Sequence, residues 1–433
     1  MDKYTLIPPQ NGACGTVSLN GSKSITNRAL IMSALCAGGE SFLRNASKSD
    51  DTLILIEALR KLGVKINTSD DGVVVNGCGG KFNKSCEIDI GPAGTASRFL
   101  TSLLAFIPDG KFVLTGSERM QERPIGDLVS ALDTLGAKIE YQKKGGSLPL
   151  IISGVDPCSV GNKVKIAGNV SSQFISSLLL IAPLLPNGLT VEIEGGLVSK
   201  SYIDMTISSM NDFGVTVSND DYKCFVVTPN QSYQSREVLI EGDASGASYF
   251  FASAAISGGS VKVYNLLLDS LQGDSRFPEL LGEMGCPYTH GFDGERPWIE
   301  VSGRDPLYGI DVDMSSMPDT IQTLAVVAAC SRGVTRIKGA ETLKNKETDR
   351  IKALIEQLQV IGISAEYKDG ELIVYGGSPK GGIIKTYGDH RMAMSFAVLG
   401  SKISGMVIED PQVVSKSCPS FWDDFQALGV NVG

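Results

Sequence analysis

The chain has 433 residues, 42% hydrophobic and 20% charged, with a formal net charge of −9. This length predicts two or three domains with substantial cores, and the acidic balance argues against a nucleic-acid binder, which shows a basic excess or stripe. No run of about 18 apolar residues occurs, so no membrane span is predicted.

The N-terminal "MDKYTLIPPQ" reads neither as a signal nor as a transit peptide. The nine cysteines are scattered without a C-x-x-C pair, the pattern of reduced thiols, so a cytoplasmic location is expected. The two histidines, His290 and His390, lack metal-ligand spacing. Neither a metal nor a cofactor is expected.

In chain order, six nearly apolar helices rich in Ala, Ser and Leu are predicted. They are "NRALIMSALCA", "TASRFLTSLLAF", "SSQFISSLLLIAPLL", "SGASYFFASAAI", "MPDTIQTLAVVAAC" and "HRMAMSFAVLG", starting near Asn27, Thr95, Ser171, Ser245, Pro318 and His390. Helices apolar all round are buried. Each is followed by an amphipathic segment that stops at a glycine: Gly63, Gly136, Gly214, Gly285, Gly362 and Gly429. The residue before the glycine is apolar, and so is the residue four before it (Leu59, Leu132, Met210, Leu281, Leu358, Phe425). Strand-like alternation follows, so each glycine reads as a helix stop. The glycines recur about every 73 residues, the period of a repeated supersecondary unit. One such unit cannot cover its own buried helix. Three together, about 215 residues, make a domain with a core, and six make two domains.

Chemistry is sought in what does not recur. The exceptions cluster at helix starts: "GSKSITNR", "GPAGTASR", "VSSQF", "DMSSMPD", "NKETDR" and "YGDHRMAM", with "RMQERPIGDL" and "SKSCPS". A helix N-terminus presents free N–H groups and partial positive charge, and small residues there let an anion approach the backbone. Lys23, Arg28, Arg98, Arg123, Lys346, Arg350, Arg391 and Lys416 add full charges. Each motif alone is ordinary capping. Together, in an acidic protein, they predict a site for a small polyanion. "GSKS" is not a nucleotide loop: G-x-x-x-x-G-K-[ST] needs Gly where Ser22 stands, and Val17 occupies the first glycine position.

The motifs "NGSKSITNRAL", "GPAGTASRFL", "RMQERPIGDL", "VSSQF", "EGDASGASYF", "MPD", "KETDR", "GDHRMAM" and "SKSCPSF" run nearly end to end. They resemble those of the EPSP synthase family of enolpyruvyl transferases. That resemblance implies an α/β fold of two domains, each three copies of a βαβαββ unit around buried helices (an inside-out α/β barrel), hinged by two crossovers. Residues 21–241 would form the first domain, and 1–20 with 242–433 the second. It also implies transfer of the enolpyruvyl group of phosphoenolpyruvate to the 5-hydroxyl of shikimate 3-phosphate, with release of phosphate, by a monomer that needs no nucleic acid or membrane.

By the same resemblance, Ser24, Arg28, Ser171, Ser172, Ser199 and Tyr202 bind shikimate 3-phosphate, with Asp319 and Lys346 completing its site. Gly94, Arg123, Arg350, Arg391 and Lys416 contact phosphoenolpyruvate, and Lys23 and Gln173 reach both. Asp319 corresponds to the general base and Glu347 to the general acid, assisted by Lys23 and His390. Each substrate carries a carboxylate and a phosphate, which explains the demand for cations and for bidentate arginines.

Glu347 carries a tension. Its neighbours Lys346 and Arg350 favour the ionised form, whereas a proton donor needs the neutral one. Thr342 departs from the family, in which Asn is frequent at that position. With ligand-binding residues drawn from both domains, the empty protein is expected to be open, because cations and helix N-termini repel until anions arrive. Two alternatives remain at this stage. One is the sister enzyme acting on a UDP-amino sugar, which would carry Asn where Ser24 stands and a Cys in "SERMQERP". The other is a non-catalytic repeat scaffold, which would place binding residues equivalently in every unit.

Overall fold

The computed structural model describes residues 2–433. The chain divides into two compact units, Gly21–Ile240 and a second formed by the residues up to Asn20 with Glu241–Gly433. Helices α1 (Lys23–Leu35), α2 (Asp50–Lys61), α3 (Gly94–Ala105), α4 (Gly126–Leu135), α5 (Ser172–Ile181) and α6 (Lys200–Asp212) belong to the first. Helices α7 (Ala244–Ser257), α8 (Phe277–Glu283), α9 (Ile321–Ala329), α10 (Arg350–Val360), α11 (His390–Val398) and α12 (Phe421–Ala427) belong to the second.

Each unit holds three four-stranded sheets of one pattern. Strand Ser85–Asp89 leads through α3 to the parallel strand Lys111–Thr115. After α4 the chain forms Lys138–Tyr141 and Leu150–Ser153, the latter pairing antiparallel with Lys111–Thr115 and with Lys138–Tyr141. The order is therefore βαβαββ. Three strands break the local rule. Cys14–Ser18 precedes α1 but pairs with Ser260–Tyr264, and Glu237–Leu239 precedes α7 but pairs with Glu40–Arg44. Each crossover strand thus completes a sheet far from it in sequence. Lys3–Ile7 likewise closes the sheet of Met406–Glu409.

The odd-numbered helices are the buried ones. α1, α3 and α5 pack on one another, as do α7, α9 and α11, with sheets and amphipathic helices outside them. Small side chains let these helices approach, and their hydroxyls pair instead of going unsatisfied. Ser102 Oγ donates to Ser177 Oγ at 2.9 Å, and Ser248, Thr323 and Ser395 link α7, α9 and α11 at 3.2 and 3.5 Å. No helix of the described residues is long and apolar enough to cross a membrane.

The six repeat glycines all have positive φ, between +82° and +110°. At the first five, the amide after the glycine donates to the carbonyl of the apolar residue four before it, as in Val64 to Leu59 and Ala137 to Leu132, both at 3.0 Å. This closure caps the helix and starts the next strand.

One boundary differs from the sequence expectation. The first buried helix begins at Lys23 and not near Asn27. The Ser22 carbonyl accepts from the Thr26 amide at 2.9 Å and from the Thr26 hydroxyl at 2.8 Å, which draws "KSIT" into the first turn. Lys23 and Ser24 therefore sit on the helix N-terminus itself.

At Gly136 an added Cβ would meet nothing nearer than Val160 at 3.8 Å, so only backbone strain opposes Ala there. Gly136→Ala should cost about 1–2 kcal/mol in urea unfolding. An unchanged midpoint would contradict its role as a helix stop.

Candidate functional site

In the unit Gly21–Ile240 the expected residues gather at the N-termini of α1, α3, α5 and α6. Lys23 Nζ lies 3.0 Å from Asp51 Oδ2, a carboxylate in the first turn of α2. Arg28 is buried. Its guanidinium donates to the Ser24 carbonyl at 2.8 Å, Thr206 Oγ1 at 2.7 Å, and Ser176 Oγ and the Tyr202 carbonyl at 3.2 Å each. Burial pushes Arg28 down to about 10, opposed by Tyr202. The guanidinium nevertheless stays charged at neutral pH, a cation held by neutral acceptors.

Gly94 opens α3 against Arg123. A Cβ on Gly94 would lie 2.9 Å from Arg123 Nη1, so only glycine leaves that guanidinium in place. Ser171 caps α5 by accepting from the Gln173 amide at 3.3 Å, and Ser172 follows in the first turn. The Gln173 side-chain amide donates to Thr95 Oγ1 at 3.3 Å, joining the starts of α5 and α3. Ser199 has φ +53° just before α6, and its carbonyl accepts from the Tyr202 amide.

The second unit brings six expected residues into one ion network. Asp319, in the turn Pro318–Thr320 before α9, has Oδ2 2.9 Å from Arg391 Nη2. Its Oδ1 lies 3.5 Å from Arg350 Nη1 and 3.9 Å from Lys346 Nζ. Glu347 accepts from Arg350 Nη2 at 2.8 Å and from Lys416 Nζ at 2.5 Å. Arg350, which opens α10, is 2% exposed along its side chain and also meets the buried Asp389 through Nε at 2.7 Å and Nη2 at 3.1 Å. Burial opposes the Arg350 charge, but Asp389 and Glu347 outweigh it and hold the group above its ordinary value. Asp389 also caps α11, accepting from the Arg391 amide at 2.9 Å. His390 opens α11, with Nδ1 3.7 Å from Asp389 Oδ1.

The sequence reading missed Asp51, Asp389 and Tyr249. The first two are the counter-ions of Lys23 and Arg350. Tyr249 Oη accepts from Arg391 Nη1 at 3.3 Å. The "DHR" run did carry a signal for Asp389 as a cap. Nothing marked its second partner, Arg350, 39 residues earlier. Within the second unit, carboxylates lie between the cations. Thr342 Oγ1 is buried and makes no hydrogen bond with the described residues.

Helix N-termini with buried arginines and adjacent carboxylates are the equipment of a protein that binds small polyanions. The match to known proteins is specific. Residues 8–425 fit the model of the family described as EPSP synthase (3-phosphoshikimate 1-carboxyvinyltransferase). A protein of Marinomonas sp. named 3-phosphoshikimate 1-carboxyvinyltransferase is 41% identical over 99% of this chain and 100% of its own length. One of the same name from Shewanella amazonensis is 43% identical over 99% of both. A solved EPSP synthase of Acinetobacter baumannii has the same fold, with a TM-score of 0.83 at 24% identity over the full length of both chains. The chain belongs to the EPSP synthase family.

Asp389→Ala should lower unfolding stability by about 3–5 kcal/mol, since it strips a buried guanidinium of its closest counter-ion. A loss below about 1 kcal/mol in urea titration would show that Glu347 and Asp319 suffice.

Proposed function

We propose that this chain transfers the enolpyruvyl group of phosphoenolpyruvate to the 5-hydroxyl of shikimate 3-phosphate, giving 5-enolpyruvylshikimate 3-phosphate and inorganic phosphate. The full-length family match supports this reaction and gives no support to the UDP-amino-sugar or scaffold alternatives. The assignment of roles within it is our own reading, and one observation carries it: Arg350 bridges Asp319 and Glu347, the two carboxylates that the reaction needs.

In the first half of the reaction a proton goes to the methylene carbon of phosphoenolpyruvate. The 5-oxygen bonds to the adjacent carbon and gives up its own proton. In the second half the new methyl group loses a proton, the bond from carbon to the phosphate oxygen breaks, and phosphate leaves. Asp319 is the base for the hydroxyl and Glu347 the acid for the carbon. Lys416 and Arg350 hold both Glu347 oxygens, which favours its carboxylate. When phosphoenolpyruvate brings its own anionic groups to Arg350, Arg391 and Lys416, it takes over those cations, and Glu347 can then hold the proton it must deliver. Arg123 beside Gly94 is a further contact for this substrate.

Ser24, Arg28, Ser171, Ser172, Ser199, Tyr202 and Lys346 serve shikimate 3-phosphate, while Lys23 and Gln173 serve both substrates. Lys23, steadied by Asp51, stabilises the charge on the departing phosphate, and His390 assists proton transfer. We further propose a cytoplasmic location, which the nine free thiols support, and a monomeric state.

The test is phosphate release with each substrate alone and with both. Release only with both supports the proposal; none from folded protein refutes it. Lys23→Met should retain the fold and lower turnover by about 10²–10³, the usual result of removing one preorganised stabilising group. Near-normal turnover would remove Lys23 from the mechanism.

A further inference from the structure

Behind Asp319 lies a second carboxylate that the reaction as described does not use. Asp274 sits in the turn Gly273–Arg276, which packs against α7, α8 and the turn Pro318–Thr320 that carries Asp319. The neighbouring Gln272 pins this turn to the start of α7. Its side-chain carbonyl accepts from the Ala244 amide at 3.2 Å, and its amide donates to the Gly242 carbonyl at 2.8 Å. Asp274 is 5% exposed; Oδ2 accepts from the Ser245 hydroxyl, and Oδ1 is buried with no hydrogen-bond partner among the described residues.

The charged groups facing it are Asp319, Arg391 from α11 and Asp243 at the start of α7. On the α8 side, Arg276 pairs with Glu279 at 2.8 Å, with the Arg276 side chain exposed. Arg391 is committed to Asp319 at 2.9 Å, and Asp319 also has Arg350 and Lys346 nearby, so Asp274 faces two carboxylates with no cation of its own. A buried carboxylate beside another carboxylate is pushed toward its neutral form.

We infer that Asp274 is a positioning residue for the Asp319–Arg391 pair: as the neutral acid it leaves Arg391 to Asp319 and to arriving anions, and as the carboxylate it draws Arg391 back and repels those anions. The inference rests on the reading of Asp319 and Arg391 given above. Burial first, and then the charge of Asp319, push Asp274 up to about 7, against the pull of Arg391 and the Ser245 hydrogen bond. Both forms are thus populated near neutral pH. An anion bound at Arg391 favours the neutral form, so ligand binding takes up a proton at Asp274.

The test compares the wild type with Asp274→Asn, whose amide is neutral at every pH. We expect the ratio of kcat/KM for phosphoenolpyruvate, variant over wild type, to be flat below about pH 6. It should then rise several-fold by about pH 8.5, through KM and not kcat. A flat ratio over the whole range overturns the inference. Ser245→Ala removes the hydroxyl that favours the carboxylate, so it should move the alkaline fall of the wild type to higher pH; an unmoved profile also overturns the inference.

The buried proton has a readout independent of turnover. Between about 4 and about 7 the native state binds more protons at Asp274 than the unfolded chain does, so wild-type stability falls as pH rises through that window. The melting temperature of Asp274→Asn relative to wild type should therefore climb across it, and a constant difference counts against the buried proton. This melting comparison holds or fails whether or not phosphate is released, so it separates a failure of this inference from a failure of the proposed reaction.

Discussion

A single buried guanidinium organises the second unit. Arg350 meets Asp389, Glu347 and Asp319 from the first turn of α10, and each of those carboxylates belongs to a different structural element. A cation taken out of water at this cost must be compensated, so the turn before α9, the start of α11 and the loop before α10 are drawn to one point. Arg391 and Lys416 extend the network to Tyr249 and Glu347. Three carboxylates among four cations, Lys346, Arg350, Arg391 and Lys416, make a cluster whose charges nearly cancel but which is rich in groups able to bind anions. On the proposed mechanism, incoming anions exchange with resident carboxylates instead of filling an open positive field.

The repeat makes this convergence possible. In each unit three helices rich in small residues pack on one another. The starts of α3 and α5 meet through Gln173 and Thr95. The turn before α9 and the start of α11 meet through Asp319 and Arg391. Partial positive charge and unsatisfied amides accumulate there without any charged residue. The residues that break the repeat, among them Lys23, Arg28, Asp319, Arg350 and Arg391, are additions to an end that the scaffold had already made hospitable to anions. The same logic separates Arg28 from Arg350. Arg28 has neutral partners and is pushed down, whereas Arg350 has carboxylates and is held up.

Much of this was legible in the sequence. The six glycine stops were readable because a left-handed residue after an apolar helical face leaves a local mark, and the buried helices because they lack a polar face. The individual cations were readable from their places at helix starts. Their counter-ions were not. Asp51 lies 28 residues from Lys23, and Asp389 lies 39 from Arg350, and nothing local to either acid records the partner. Asp274 was invisible for the same reason: a carboxylate in "GDSRF" reads as a turn residue until burial beside Asp319 is known. The early start of α1 was also hidden, because "GSKS" suits a loop as well as a first turn until the Thr26–Ser22 bonds are seen.

The central claim is that Glu347 acts as a resident counter-ion which phosphoenolpyruvate displaces from Lys416 and Arg350. Its most direct test is the dissociation constant of phosphoenolpyruvate for Glu347→Gln, measured calorimetrically with shikimate 3-phosphate saturating. The account predicts that this variant binds phosphoenolpyruvate several-fold more tightly than wild type while turnover falls by about 10² or more. Weaker or unchanged binding would contradict it.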